Sequence, residues 1–173
     1  MRTASPYRLT VPLALMAALM LACSGSFPTS PYDDANKNKG PSTSKDALEG
    51  KEFNKFFPTK VAAPFDLVYK QEKKGVAIAE LKKDGKNVAQ LSVTDILTEP
   101  QLWEEKYKDS TERINGYPVG KSDSALETAV LVADRFQVKV RTMPPATNAT
   151  FGKADREEWI KKFDLDGLAK LAK

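Results

Sequence analysis

The chain has 173 residues, 41% apolar and 29% charged, a balance that suits one globular domain beside targeting and linker segments and excludes a wholly disordered chain. Of its formal charge of +4, two units belong to Arg2 and Arg8 at the extreme N-terminus; the remaining 25 Lys+Arg against 23 Asp+Glu leave no basic footprint, so no nucleic-acid partner is expected. With no histidine and one cysteine, the chain lacks the commonest general base, the commonest transition-metal ligand, any intrachain disulfide and any thiolate cage, so no metal and no cofactor are expected.

Residues 1–10 carry Arg2 and Arg8 and no acid, and residues 11–22 form an unbroken apolar run. Twelve residues are too few to span the bilayer core as a helix, which takes about 20, but they suit the apolar region of a secretory signal. The run ends Leu19-Met20-Leu21-Ala22-Cys23-Ser24-Gly25. This stretch resembles the lipobox of bacterial lipoproteins: an aliphatic residue three before the cysteine, a small residue just before it, then the cysteine. It departs from the family's preference at two places, with Met20 where Leu is usual and Leu21 where a small residue is usual. The resemblance covers about the first 25 residues. It implies that residues 1–22 are removed and that the Cys23 thiol receives a diacylglycerol, with the new amine usually acylated too. Two or three acyl chains hold a protein firmly at a bilayer where one does not. Ser24, rather than Asp, after the cysteine implies delivery to the outer membrane, facing the periplasm, if the host is Gram-negative.

Residues 24–44 are dominated by Ser, Pro, Gly, Asn, Asp and Lys, with Phe27 and Tyr32 as the only large apolar groups. Such a segment buries too little surface to offset the entropy of ordering, so residues 23–44 read as a lipidated cysteine followed by a flexible tether. Random-coil scaling gives it a typical reach of about 25 Å.

The domain runs from 45 to 173. Ser44 is placed to cap a first helix whose Leu48, Phe53, Phe56 and Phe57 share one face, and Pro58 stops it. Strands are predicted at 65–72 and 76–83. The Asp84-Gly85 pair then suits a two-residue hairpin turn. A third strand, 88–96, alternates Ala89, Leu91 and Val93 with Gln90, Ser92 and Thr94, as a sheet with one dry and one wet face requires. Thr98 looks like the cap of a second helix, with Pro100 in its first turn, Gln101 at the capping-box position, and Trp103, Tyr107, Ser110 and Ile114 at helical spacing. Asn115-Gly116 ends it. Strands are predicted at 117–120, 126–133 and 135–143, the last with Phe136, Val138 and Val140 on one side and Arg135, Gln137, Lys139 and Arg141 on the other. A helix over 154–163 is acidic at its start, as the helix dipole favours, and turns Trp159, Ile160 and Phe163 inward. Asp164 caps a last short turn carrying Leu165, Leu168 and Leu171.

The order α-βββ-α-βββ-α, with strands in consecutive groups joined by short turns, defines an α+β fold. A single twisted antiparallel sheet of five or six strands is expected, with two or three helices on its apolar face. In element order alone it resembles small exported domains of the PsbP and Mog1 kind, an analogy that licenses no function.

Chemistry is sparse. Ser44-Lys45 and Lys121-Ser122 lie in polar turn-like stretches and read as solvated loop rather than as a Ser–Lys nucleophile. The strand-end acids Asp95, Glu127 and Asp134 are available for carboxylate catalysis, yet nothing in the sequence brings two of them together. Asp164-Leu165-Asp166-Gly167 lacks the ligands of a calcium loop, with Lys162 two residues before it and no closing glutamate. Two surface features stand out: a basic stripe of Arg135, Lys139 and Arg141, suited to anionic headgroups or an acidic partner, and Tyr117, held between Gly116 and Pro118. The expectation is a non-enzymatic binding or scaffolding module, lipid-anchored at the cell envelope and meeting the membrane and an envelope protein there. Two rivals are a carrier of a small apolar ligand between sheet and helices, and a carboxylate-only hydrolase.

Overall fold

Three pairs of residues turn the chain back on itself. Asp84-Gly85, Asn115-Gly116 and Ala133-Asp134 all hold positive φ at both positions, between 49° and 83°. That is the type I′ geometry whose twist matches the right-handed twist of the strands it joins. Around these turns the computed structural model, which describes residues 46–99, 101–122 and 124–172, builds an α+β fold. The signal segment, Cys23, the tether and the Ser44 cap lie outside the described residues.

The main sheet is antiparallel, five-stranded, in the order β1-β2-β3-β7-β6. Its strands are β1 (Phe65–Lys73), β2 (Val76–Lys83), β3 (Lys86–Asp95), β6 (Glu127–Val132) and β7 (Phe136–Thr142). β4 (Arg113–Ile114) and β5 (Tyr117–Pro118) form a separate two-stranded sheet, so the expectation of a single sheet is corrected. Only a bridge from Val119 to Val130 continues that ribbon onto β6.

Alternation sorts the main sheet into faces. Ala77, Ala79, Leu81, Leu91, Val93, Phe136, Val138 and Val140 are wholly buried on one of them. Three helical pieces cover that face: a 3-10 helix at Gly50–Phe56, α1 (Lys153–Lys161) and α2 (Leu165–Ala169). Aromatic rings lock the layers edge to face or tilted, with centroids 5.7 Å apart for Phe53–Phe136, 5.0 Å for Phe57–Phe163 and 5.2 Å for Phe65–Trp159. Each such pair contributes about 0.5–1.5 kcal/mol beyond simple burial.

Two predicted helices take other forms. The first is the 3-10 helix just named, beginning at Gly50. Gly50 lies so close to the β1–β2 turn that a Cβ there would stand 2.5 Å from the Lys73 carbonyl oxygen and 2.8 Å from the Lys73 nitrogen. The close packing of that helix onto the hairpin backbone fixes where it begins. The second, expected from Thr98 to Ile114, is a 3-10 turn at Ile96–Thr98 and a five-residue π-helical turn at Trp103–Tyr107. The cap is Asp95, whose Oδ1 accepts from Leu97 N at 3.2 Å, while Thr98 Oγ1 donates to the Asp95 carbonyl at 2.8 Å. Ile114 belongs to a hairpin because Asn115-Gly116 folds back as a type I′ turn, where the sequence suggested only a stop. This segment also corrects the placement of helices on one face. Ile96, Leu102 and Tyr107 close over Leu131 on the opposite side of β6, and Gln137 Nε2 donates to the Tyr107 hydroxyl at 2.9 Å. Burial pushes the Tyr107 hydroxyl pKa up.

The C-terminal elements fall close to expectation. α1 starts a residue before the predicted helix, with Asp155 Oδ2 accepting from Gly152 N at 2.7 Å. Asp164 caps α2 by accepting from Gly167 N at 2.8 Å, which is the capping role read for the Asp-Leu-Asp-Gly stretch.

Candidate functional site

Arg135 leaves the predicted basic stripe. As the residue after the Ala133-Asp134 turn it swings to the core-face edge, where its guanidinium stacks 5.0 Å from the Phe136 ring centroid. Its Nη2 reaches Asp95 Oδ2 at 2.9 Å and the Asp46 carbonyl at 3.0 Å, and its Nε lies 3.3 Å from each Asp95 oxygen. Asp95, fully buried, also accepts from Leu48 N at 3.2 Å. One ion pair therefore ties the start of the domain, the end of β3 and the β6–β7 turn together. Lys139 and Arg141 remain on the other face of β7, Lys139 half-buried opposite Ser92 and Ala129, Arg141 exposed opposite Gln90 and Glu127. The stripe is a pair.

Tyr117 is half-buried against the core, and its hydroxyl donates to Asp166 Oδ1 at 2.9 Å, tying β5 to α2. Burial first, and then the Asp166 contact, raise its pKa.

The strand-end acids are dispersed. Asp95 holds Arg135; Asp134 is exposed in the β6–β7 turn; Glu127 pairs with Lys106 at 3.6 Å. Among the described residues no group of three or more His, Cys, Asp or Glu is placed to hold a metal ion. The space where an apolar ligand would lie, between sheet and helices, is filled by Phe53, Phe57, Phe136, Ile160 and Leu168, each at most 2% exposed.

A recess does open elsewhere, where the 109–112 loop, residues 119–122 and 124–125, and α1 meet. It has a volume of about 620 Å³, and its polar lining includes Ser110, Glu112, Lys121, Ser124, Lys153 and Arg156. Its rim is braced by Lys153, whose Nζ lies 3.1 Å from Glu112 Oε2 and 3.5 Å from Glu157 Oε1. The Glu112 contact is the main reason the Lys153 pKa is raised. Ser110 Oγ donates to the Val119 carbonyl at 2.6 Å, closing the opposite wall.

The residue at the back of this cleft is one the sequence reading passed over. Arg156, on α1, is 2% exposed. Its Nε donates to Thr128 Oγ1 at 3.1 Å and its Nη2 to the Ala125 carbonyl at 2.8 Å. Its Nη1 is shared among Thr142 Oγ1 at 2.9 Å, Asn148 Oδ1 at 3.0 Å and the Phe151 carbonyl at 3.3 Å. Every acceptor among the described residues is neutral, and burial lowers the Arg156 pKa against the weaker, opposite pull of Asp155, Glu157 and Glu127. The residue was legible in principle. The spacing of Arg156, Trp159, Ile160 and Phe163 is that of a single helix face, so a cation stood in an apolar position of the pattern.

No family model, no curated protein and no solved structure matches the chain.

Proposed function

We propose that this chain is an exported lipoprotein, held at the cell envelope by a lipid on Cys23, whose domain is a non-enzymatic binding or scaffolding module. The observation that carries the reading is positional: the only cysteine falls where an apolar signal-like run ends and a Ser/Pro/Gly-rich tether begins. The domain's geometry is in keeping with a binding role. Its interior is closely packed, its strand-end acids are dispersed, and its recess is open to solvent with charged and polar groups set in a largely apolar lining. In a Gram-negative host, Ser24 places it on the periplasmic side of the outer membrane, with envelope proteins as the partners within reach of the tether.

Cell fractionation tests this directly. Cys23→Ala is expected to shift the protein from the membrane fraction to the soluble fraction, or to leave the precursor uncut. A Cys23→Ala protein that is processed normally and still sediments with membranes would overturn the reading.

A further inference from the structure

We infer that the cleft around Arg156 is a receptor for a small soluble oxyanion, a carboxylate or a phosphate, a proposal that rests on the domain being a binding module. Three observations converge. First, Arg156 is a buried cation without a carboxylate at ion-pair distance among the described residues, whereas Asp95 answers the other inward-turned guanidinium, Arg135. Taking a guanidinium out of water costs several kcal/mol unless an opposite charge compensates, and neutral dipoles compensate only in part. Asp155, Glu157 and Glu127 attract Arg156 only from beyond ion-pair distance, and an arriving anion would add a direct charge contact.

Second, the hydrogen-bond count of the guanidinium is incomplete. A guanidinium has five N–H donors in a planar fork. Nε and Nη1 are fully engaged, but Nη2 has two N–H groups and a single acceptor among the described residues, the Ala125 carbonyl. Arg156 lines the cleft. An oxygen entering there would accept a charge-assisted hydrogen bond, which is about twice as strong as a neutral one.

Third, the lining offers further donors to the same kind of ligand, with the exposed Asp109 as its one opposing carboxylate not held by a lysine among the described residues. Glu112 and Glu127 are each held by a lysine, Lys153 and Lys106. Lys121, exposed on the lining, has no carboxylate partner among the described residues. Ser124 Oγ accepts from Leu126 N at 3.1 Å, which leaves its hydroxyl hydrogen to donate, and Ser124 precedes the Ala125 whose carbonyl holds Nη2. The exposed Asp109 at the rim would pair with an ammonium carried by the same ligand.

A purely structural role is the competing account: Arg156 would staple residues 125, 128, 142, 148 and 151 and bind nothing. Thermal melting of the full chain in mild detergent separates the two. Sodium phosphate and sodium acetate in the millimolar range are compared with sodium chloride at matched ionic strength. The proposal expects Tm to rise with phosphate or acetate beyond chloride. Lys121→Ala should leave the ligand-free Tm in place, and Lys121→Ala and Ser124→Ala should each weaken the ligand midpoint several-fold, measured against the variant's own ligand-free Tm. Arg156→Lys, keeping charge without the fork, should weaken it about tenfold or more; should that variant fail to fold, the two rim variants decide. Equal melting in all three salts, or an anion effect unchanged by both rim variants, overturns the proposal. So does binding confined to phosphatidylglycerol vesicles with none to free phosphate, since the lipid headgroup and not a soluble oxyanion would then be the ligand. None of these readouts depends on where Cys23 places the protein, so this inference and the lipoprotein reading fail separately.

Discussion

Two arginines turn inward from this domain and do different things. Arg135 meets a carboxylate and gains a structural role; Arg156 meets only neutral oxygens. For the first, the expected outcome is large. Asp95→Ala strands the Arg135 guanidinium and the Leu48 N–H at once, and breaking a buried pair from one side costs about 3–5 kcal/mol. Urea unfolding should show that loss, and the double variant Asp95→Ala/Arg135→Ala should lose clearly less than the sum of the two single changes. A cost below about 1 kcal/mol, or simple additivity, would mean the pair behaves as an ordinary surface ion pair. Arg135's destination was not legible, and Arg156's was legible only in its spacing with Trp159, Ile160 and Phe163. Strand alternation put Arg135 on the wet face, because the pattern was extended one residue into a turn whose positive φ values at Ala133 and Asp134 reset the direction of the side chain. Arg156 was hidden by its neighbours Asp155, Glu157 and Glu158, which make the segment read as a solvated helix face.

At the scale of elements, strands and turns were read well, and short helices poorly. The dry side of the alternation read in β3 and β7 survives residue for residue, whereas Ser92 and Gln137, read as wet, are buried. The Asp84-Gly85 turn followed from its composition, and the same logic applied to Asn115-Gly116 would have exposed the β4–β5 hairpin; helical spacing from Trp103 to Ile114 outweighed it. That spacing is real for Tyr107, which is buried, but Trp103 is 37% exposed and Ile114 is buried in a strand. The 3-10 form of Gly50–Phe56 has a tertiary cause: a helix pressed onto the backbone of the β1–β2 hairpin. Gly50→Ala therefore forces its Cβ into Val76 and Lys73 backbone oxygens and should cost about 1–3 kcal/mol in chemical denaturation. Gly85 has positive φ and open space around it, so Gly85→Ala should cost only the strain of a left-handed residue, about 1–2 kcal/mol. If Gly50→Ala proves the milder of the two, the close approach of helix and hairpin is not what shapes the domain's first element.

For the whole molecule, the division of labour is between an address and a domain. The domain's class, α+β with a five-stranded antiparallel sheet, was legible from strand grouping; the second small sheet was not, because two-residue strands carry too little pattern. The candidate site was not legible either. Its parts come from the 109–112 loop, residues 119–122 and 124–125, and α1, and only tertiary packing brings them together. The address is the reverse case, since it is written in local composition alone: two arginines, an apolar run, one cysteine and a polar tether. Mass spectrometry of the mature N-terminus tests it most directly. The account predicts a protein that begins at Cys23 and carries the added mass of a diacylglycerol, with or without a further acyl chain on the amine. An unacylated N-terminus, or a mature chain that starts at any other residue, would contradict it.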